Sequence, residues 1–278
     1  MIRSGFLTFL SMTGVDAAGK RLYCLFSYWK LYLIRQYPKK VMPLLIYATE
    51  YKSQLSSKQI ELLVDKLPPA IQVKALRYRR WQDTYGCIFG KYLLHIALKK
   101  MGFSEDLSKM RYSPEHKPFL PGGPHFNISH SANRVVCIVS SEKRVGIDIE
   151  NRVDHVIFDD FRPQFTQSEW CEIQSANDPK EEFYRIWTAK ESVIKADGRG
   201  LGIPLDQIDV SRLQPVFLDG NVWELTRLFQ FEGYACHICV ECFCPATGPV
   251  LSENTASDIA DLEFYEVLPS DVLGHLFT

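Results

Sequence analysis

Two hydrophobic periods alternate along this chain, and each half of the chain carries both. Trp81, Tyr85, Ile88, Phe89, Tyr92 and Ile96 recur at helical spacing and make one apolar stripe, a core face. Phe183, Ile186, Trp187 and Ile194 make a second. Elsewhere the period falls to two, the spacing of a half-buried strand. Strands are expected at 44–48, 126–129, 134–140 and 145–150, then near 206–210, 214–218, 222–227 and 233–243. Ser56/Ser57 cap a helix carrying Ile60, Leu63, Val64 and Leu67, which Pro68-Pro69 ends. Further helices are expected at about 166–175 and 180–197. Helices and antiparallel strands mixed in both halves predict an α+β fold, divided near residue 150 into 42–150 and 151–278.

The 278 residues suffice to bury a full core without disulfide staples. No apolar run approaches the roughly 18 residues that cross a bilayer. The net charge of −1 averages two unlike pieces. Residues 1–41 hold seven basic residues against Asp16 alone, while 42–278 hold 25 basic and 32 acidic residues. Basic and aromatic residues interleave in that head, as in a surface that grips nucleic acid or membrane. It lacks a clean amphipathic period and helix caps, so 1–41 reads as a mobile or non-native extension. No nucleic-acid or membrane partner is expected.

Eight cysteines without a secretory signal read as thiols of a reducing cytosol. Cys236, Cys239, Cys242 and Cys244 surround His237 and imitate a metal box. Their neighbours alternate at strand period, which turns Cys239 away from the other three and favours a buried strand.

Three segments carry chemistry. In Gly146-Ile147-Asp148-Ile149-Glu150 the two carboxylates leave one strand face about 7 Å apart, with Ile147 and Ile149 facing the core. A solvated face explains such a pair, but two like charges this close are costly without a cation between them. In the helix around 183–195, Thr188, Glu191 and Lys195 share a face, and an ordinary surface salt bridge would do the same. Asn127-Ile128-Ser129-His130-Ser131 sets polar groups at the end of a short strand, after a Pro/Gly-rich loop over 113–124. Gly198-Arg199-Gly200-Leu201-Gly202 follows a helix rather than a strand, so it reads as a turn and not as a dinucleotide cradle.

Taken in order, Lys117-Pro118, Phe126-Asn127-Ile128-Ser129-His130-Ser131, Gly146-Ile147-Asp148-Ile149-Glu150 and Trp187-Thr188-Ala189-Lys190-Glu191-Ser192 with Lys195 resemble the 4′-phosphopantetheinyl transferases. The resemblance covers about 42–245 and is closest to the larger, pseudo-dimeric (surfactin-synthetase-activating) type, which acts as a monomer. It implies two similar α+β halves related by a pseudo-two-fold, with the active site at their interface. The implied reaction moves phosphopantetheine from coenzyme A to a serine of an apo acyl or peptidyl carrier protein, with magnesium, and releases adenosine 3′,5′-bisphosphate. Asp148, Glu150 and Glu191 would hold Mg²⁺, which takes hard oxygen ligands. Lys195 would neutralise phosphate charge, and either Glu191 or a metal-bound water would accept the serine proton.

The resemblance further places Ser129 and His130 at the 3′-phosphate side of coenzyme A, Lys117 and Pro118 near the adenine, and Lys74 on a phosphate. The arginine usual in the family falls at Gly86, with Arg77, Arg79 and Arg80 as nearby replacements. Two other classes compete: a module that binds coenzyme A or a carrier without turnover, and a hydrolase that uses water as acceptor. The intact set Asp148, Glu150, Glu191 and Lys195 speaks against a decayed site.

Overall fold

The computed structural model describes residues 43–153, 157–211, 215–242 and 262–274. The basic head, Cys244 and the residues joining 242 to 262 lie outside that set. Strand β1 (Leu44–Glu50) is followed by helix α1 (Ser57–Asp65). Ser56 caps α1 through a reciprocal box with Gln59, and Pro69 then opens α2 (Pro69–Leu76), where a missing N–H costs nothing. The long helix α3 (Trp81–Met101) carries the first apolar stripe and ends on Gly102. Its Tyr85 and Phe89 rings pack against Tyr51, which makes that stripe core.

A hairpin of β2 (Arg111–Tyr112) and β3 (Pro118–Phe119) spans the start of the Pro/Gly stretch, and β4 (His125–Ser131), β5 (Arg134–Ser140) and β6 (Val145–Asn151) follow. Thr166, boxed with Glu169, starts α4 (Gln167–Ser175), and Asp178 caps α5 (Pro179–Asp197). Strands β7 (Val216–Leu218), β8 (Asn221–Arg227) and β9 (Tyr234–Cys242) come next. The described chain closes with β10 (Leu262–Glu266) and α6 (Pro269–Gly274).

The strands form two four-stranded sheets, ordered β10-β1-β5-β4 and β6-β9-β8-β7, so the fold is α+β. Pairing within them is antiparallel except between β10 and β1. One core lies between α3 and the first sheet, and another between α5 and the second. A third joins the sheets face to face, with Ile46, Val136 and Ile138 against Ile147, Ile149 and Ile238. Each such side chain contributes about 1.5–3 kcal/mol on burial. The resulting layers run helix, sheet, sheet, helix. No described helix is long and apolar enough to cross a membrane.

Sheet membership does not follow the division expected at residue 150. Strand β6, expected in the first half, opens the second sheet, and β10 returns to the edge of the first. The strand expected at 206–210 is absent: Leu205–Gln207 is a single 3-10 turn. Its backbone is used elsewhere, because Ile208 O accepts from Lys190 Nζ and Val210 N donates to Glu169 Oε1. The Val210 N–H is thereby lost to a β ladder, and Ile208 O is held in place by the buried ammonium.

Cys236, Cys239 and Cys242 lie on one continuous strand, β9. Cys236 lies in the core between the sheets, and Cys239 in the core under α5, on opposite faces of β9. The glycine run after α5 is a helix end, with Gly198 capping α5 and Gly200–Gly202 forming a 3-10 turn.

Candidate active site

The site is assembled where β4, β6 and α5 meet. Gly146 permits that meeting: a Cβ there would stand 2.0 Å from Ser192 O and 2.5 Å from Ala196 N. With no side chain in the way, the backbone of α5 lies directly on β6. Along β6, Ile147 and Ile149 face the core between the sheets, so Asp148 and Glu150 face α5. From α5, Lys195 reaches Asp148 Oδ1 as an ion pair.

Strands β4 and β6 belong to different sheets and are joined by side chains. Asn127 Oδ1 accepts Ile147 N–H at 2.9 Å, and Ser131 Oγ accepts Asn151 N–H at 3.0 Å. Between them Ser129 Oγ takes a longer bond, 3.4 Å, from Ile149 N–H. The serine hydroxyls then donate to the carboxylates, Ser129 to Asp148 Oδ1 at 2.9 Å and Ser131 to Glu150 Oε2 at 2.8 Å. Lys195 Nζ also donates to Ser129 Oγ, at 3.0 Å.

Charge in this cluster is unbalanced. Burial, and then the Asp148 carboxylate beside it, pushes Glu150 up to about 7. The same two causes raise Glu191. Burial opposes the Lys195 ammonium, but Asp148, Glu191 and Glu150 outweigh it and raise Lys195. Asp148 is 2 % exposed, and its Oδ2 has no hydrogen-bond partner among the described residues.

Two clefts open on either side of these groups. One, about 250 Å³, is lined by Lys117, Pro118, Asn127, Glu191, Lys195 and Gly198 among others. Lys117 donates from Nζ to Ala196 O at 2.8 Å, and burial lowers it to about 8. The other, about 400 Å³, brings Arg80, Ser131 and Glu150 beside the aromatic Phe161, Phe183 and Trp187.

The structure therefore unites Asp148, Glu150, Glu191 and Lys195, with Lys117 and Pro118 on the same cleft as the last two. Lys74 is set apart on α2, its ammonium 5.1 Å from the centre of the Tyr112 ring, and it lines neither cleft. For Ser129, which the resemblance gives to coenzyme A, the structure shows the side chain engaged within the protein. That hydroxyl is committed to Asp148, Lys195 and the β6 backbone, in a residue 5 % exposed.

His130 packs its ring on Gly86, where an added Cβ would come within 2.4 Å of ring carbons. The imidazole thus fills the space that a side chain at 86 would need. Burial is the main cause that lowers its pKa. Of the three candidate arginines, Arg80 is the one on the wall of the second cleft, with Ser131 and Glu150. Reading the sequence missed Ser131 as a partner of Glu150. The signal was there, in the polar alternation of Asn127, Ser129 and Ser131.

Fold and site define a class: an α+β protein in which Asp148, Glu150, Glu191 and Lys195 cluster where the two sheets and a helix meet, with Glu191 and Lys195 on one cleft and Glu150 on another. Residues 144–239 match the model of the 4′-phosphopantetheinyl transferase superfamily. Over 174 residues the chain is 34 % identical to the 4′-phosphopantetheinyl transferase gsp of Aneurinibacillus migulanus, covering 59 % of this chain and 72 % of that protein. It is 30 % identical over 183 residues to 4′-phosphopantetheinyl transferase Sfp of Bacillus subtilis (strain 168), covering 64 % and 79 %. Against the human L-aminoadipate-semialdehyde dehydrogenase-phosphopantetheinyl transferase it is 39 % identical over 167 residues, 53 % of each chain. The chain belongs to the 4′-phosphopantetheinyl transferase superfamily, among relatives of the Sfp and gsp type.

Proposed function

We propose that this transferase moves 4′-phosphopantetheine from coenzyme A to a serine of an apo acyl or peptidyl carrier protein, and that it does so with Mg²⁺. The observation that carries the proposal is the convergence of Asp148, Glu150, Glu191 and Lys195 beside the cleft of Lys117. Among the described residues no three His, Cys, Asp or Glu side chains form a ready metal cage. The donor set nevertheless suits a hard cation. It offers carboxylate oxygens, a buried Asp148 Oδ2 without a partner, and two acids whose proton affinity is raised by burial and by Asp148. Asp148, Glu150 and Glu191 would hold the ion. Once bound, it would neutralise pyrophosphate charge and polarise the phosphorus under attack.

The remaining work falls to side chains. Lys117 and Lys195 draw the anionic end of coenzyme A into the cleft, with Pro118 on its wall. Arg80 supplies the positive charge that Gly86 does not, next to His130. Lys74 stands further out, where it meets phosphate only if the nucleotide extends past the cleft. Glu191 takes the proton of the carrier serine, as a carboxylate on the wall of the cleft. The serine oxygen then bonds to the β-phosphorus, and the bond from that phosphorus to the bridging oxygen breaks. Adenosine 3′,5′-bisphosphate leaves, its new charge met by Lys195. The protein works as a monomer in the cytoplasm.

Incubation with coenzyme A, Mg²⁺ and a panel of apo carriers, followed by weighing of the carriers, tests this. One phosphopantetheine added per carrier is the expected outcome. No gain with any carrier would defeat the proposal, and coenzyme A consumed without gain would indicate a hydrolase.

A further inference from the structure

The side-chain ladder between β4 and β6 has two layers of function. Each rung accepts an N–H of β6, which ties the two sheets together across a gap that no backbone pairing bridges. Two of the rungs pass on the hydrogen of the same hydroxyl to a carboxylate of β6. A hydroxyl can do both because it is at once a donor and an acceptor. The Ser131 rung is the cleaner of the two. Among the described residues its hydroxyl hydrogen-bonds Glu150 and Asn151 N, whereas Ser129 also receives Lys195.

We infer that Ser131 is a positioning residue, whose hydroxyl aims the Glu150 carboxylate and so sets the affinity of the carboxylate cluster for a divalent cation. The inference rests on the reading of Asp148, Glu150 and Glu191 as cation ligands. Ser131 makes no contact with the reacting atoms in this scheme. It holds one oxygen of Glu150, Oε2, in a carboxylate that stands close to Asp148. Without the hydroxyl, Glu150 could rotate away from Asp148 to relieve the like-charge repulsion between them. The cation would then have to draw it back at the expense of binding energy. Partners that orient metal-binding carboxylates typically matter by about 10–100-fold in affinity.

The geometry also divides the labour along β4. Asn127, Ser129 and Ser131 face β6, while Ile128 packs on Gly90 and His130 on Gly86 of α3. One strand thus links the wall at α3 to the orientation of the carboxylates, through alternate residues.

Titration calorimetry of Mg²⁺ into the full-length, nucleotide-free protein tests the inference without any turnover. Ser131→Ala is expected to weaken binding by about tenfold or more, and Ser131→Thr, which keeps the hydroxyl, to restore it. Should the alanine variant not fold, Ser131→Cys, near in size but a poor donor, takes its place. Unchanged affinity in Ala or Cys would overturn the inference, as would a threonine variant as weak as alanine. If the unaltered protein binds no Mg²⁺, the cation reading itself fails.

Discussion

Helix α5 carries two lysines five positions apart, each paired with a buried carboxylate, and their surroundings could hardly differ more. Lys190 and Glu169 are sealed, both 0 % exposed. Every bonding oxygen of that carboxylate is used: Oε2 takes Lys190 and Thr166 N, and Oε1 takes Val210 N. Lys190 also ties down Ile208 O. The pair joins α4, α5 and the turn at 205–210 into one unit. Lys195 and Asp148 are left incomplete, with Asp148 Oδ2 unpartnered among the described residues and Lys195 on the wall of a cleft. A satisfied ion pair specifies structure, while an unsatisfied one next to a cleft retains capacity for a ligand.

That contrast predicts opposite failures. Lys190→Met strands the Glu169 charge in the core and should cost about 3–5 kcal/mol of stability, read by urea unfolding. A loss under about 1 kcal/mol would erase the distinction. Glu191→Gln should lower kcat about 10²-fold or more with the melting temperature kept or raised, since it removes a base and a like charge together. Near-normal turnover would remove Glu191 from its role. Lys195→Met should likewise depress turnover, yet cost less stability than Lys190→Met, because Lys195 is 28 % exposed where Lys190 is sealed, and Ser129 still donates to Asp148.

A different kind of effect concerns pH. Glu150 has a folded-state pKa of about 7 against an ordinary 4.5, so between those values the folded protein holds a proton that the unfolded chain has released. Stability of the metal-free protein should therefore fall as pH rises through that window. Glu150→Gln should flatten the slope in melting curves, and an unaltered slope would assign it to another group.

Local pattern made much of the molecule legible. The alternation of 145–150 put Asp148 and Glu150 on one face, and the α5 stripe put Glu191 and Lys195 on another. Proline and serine signals marked the start of α1 and its end. What escaped was non-local. Strand β10 is only five residues long and pairs with β1 from the far end of the chain, which no periodicity reveals. Hairpin β2–β3 consists of two-residue strands within a loop composition. The strand expected at 206–210 had the right residues, but a buried ion pair from two helices had already taken its backbone groups.

The site divides the same way. Sequence alone supplied the carboxylates and lysines, and it was the resemblance of their ordered motifs to one family that implied a joint role for them. It could name Gly86 as a departure but not explain it. Tertiary structure decided that His130 occupies the space beside Gly86, that Ser129 serves Asp148, and that Ser131 holds Glu150. The physical reason is range. Periodicity fixes which face a side chain leaves by, over a turn or a pleat. Which hydroxyl meets which carboxylate depends on two sheets packing about 20 residues apart in sequence, with a glycine letting a helix close over them.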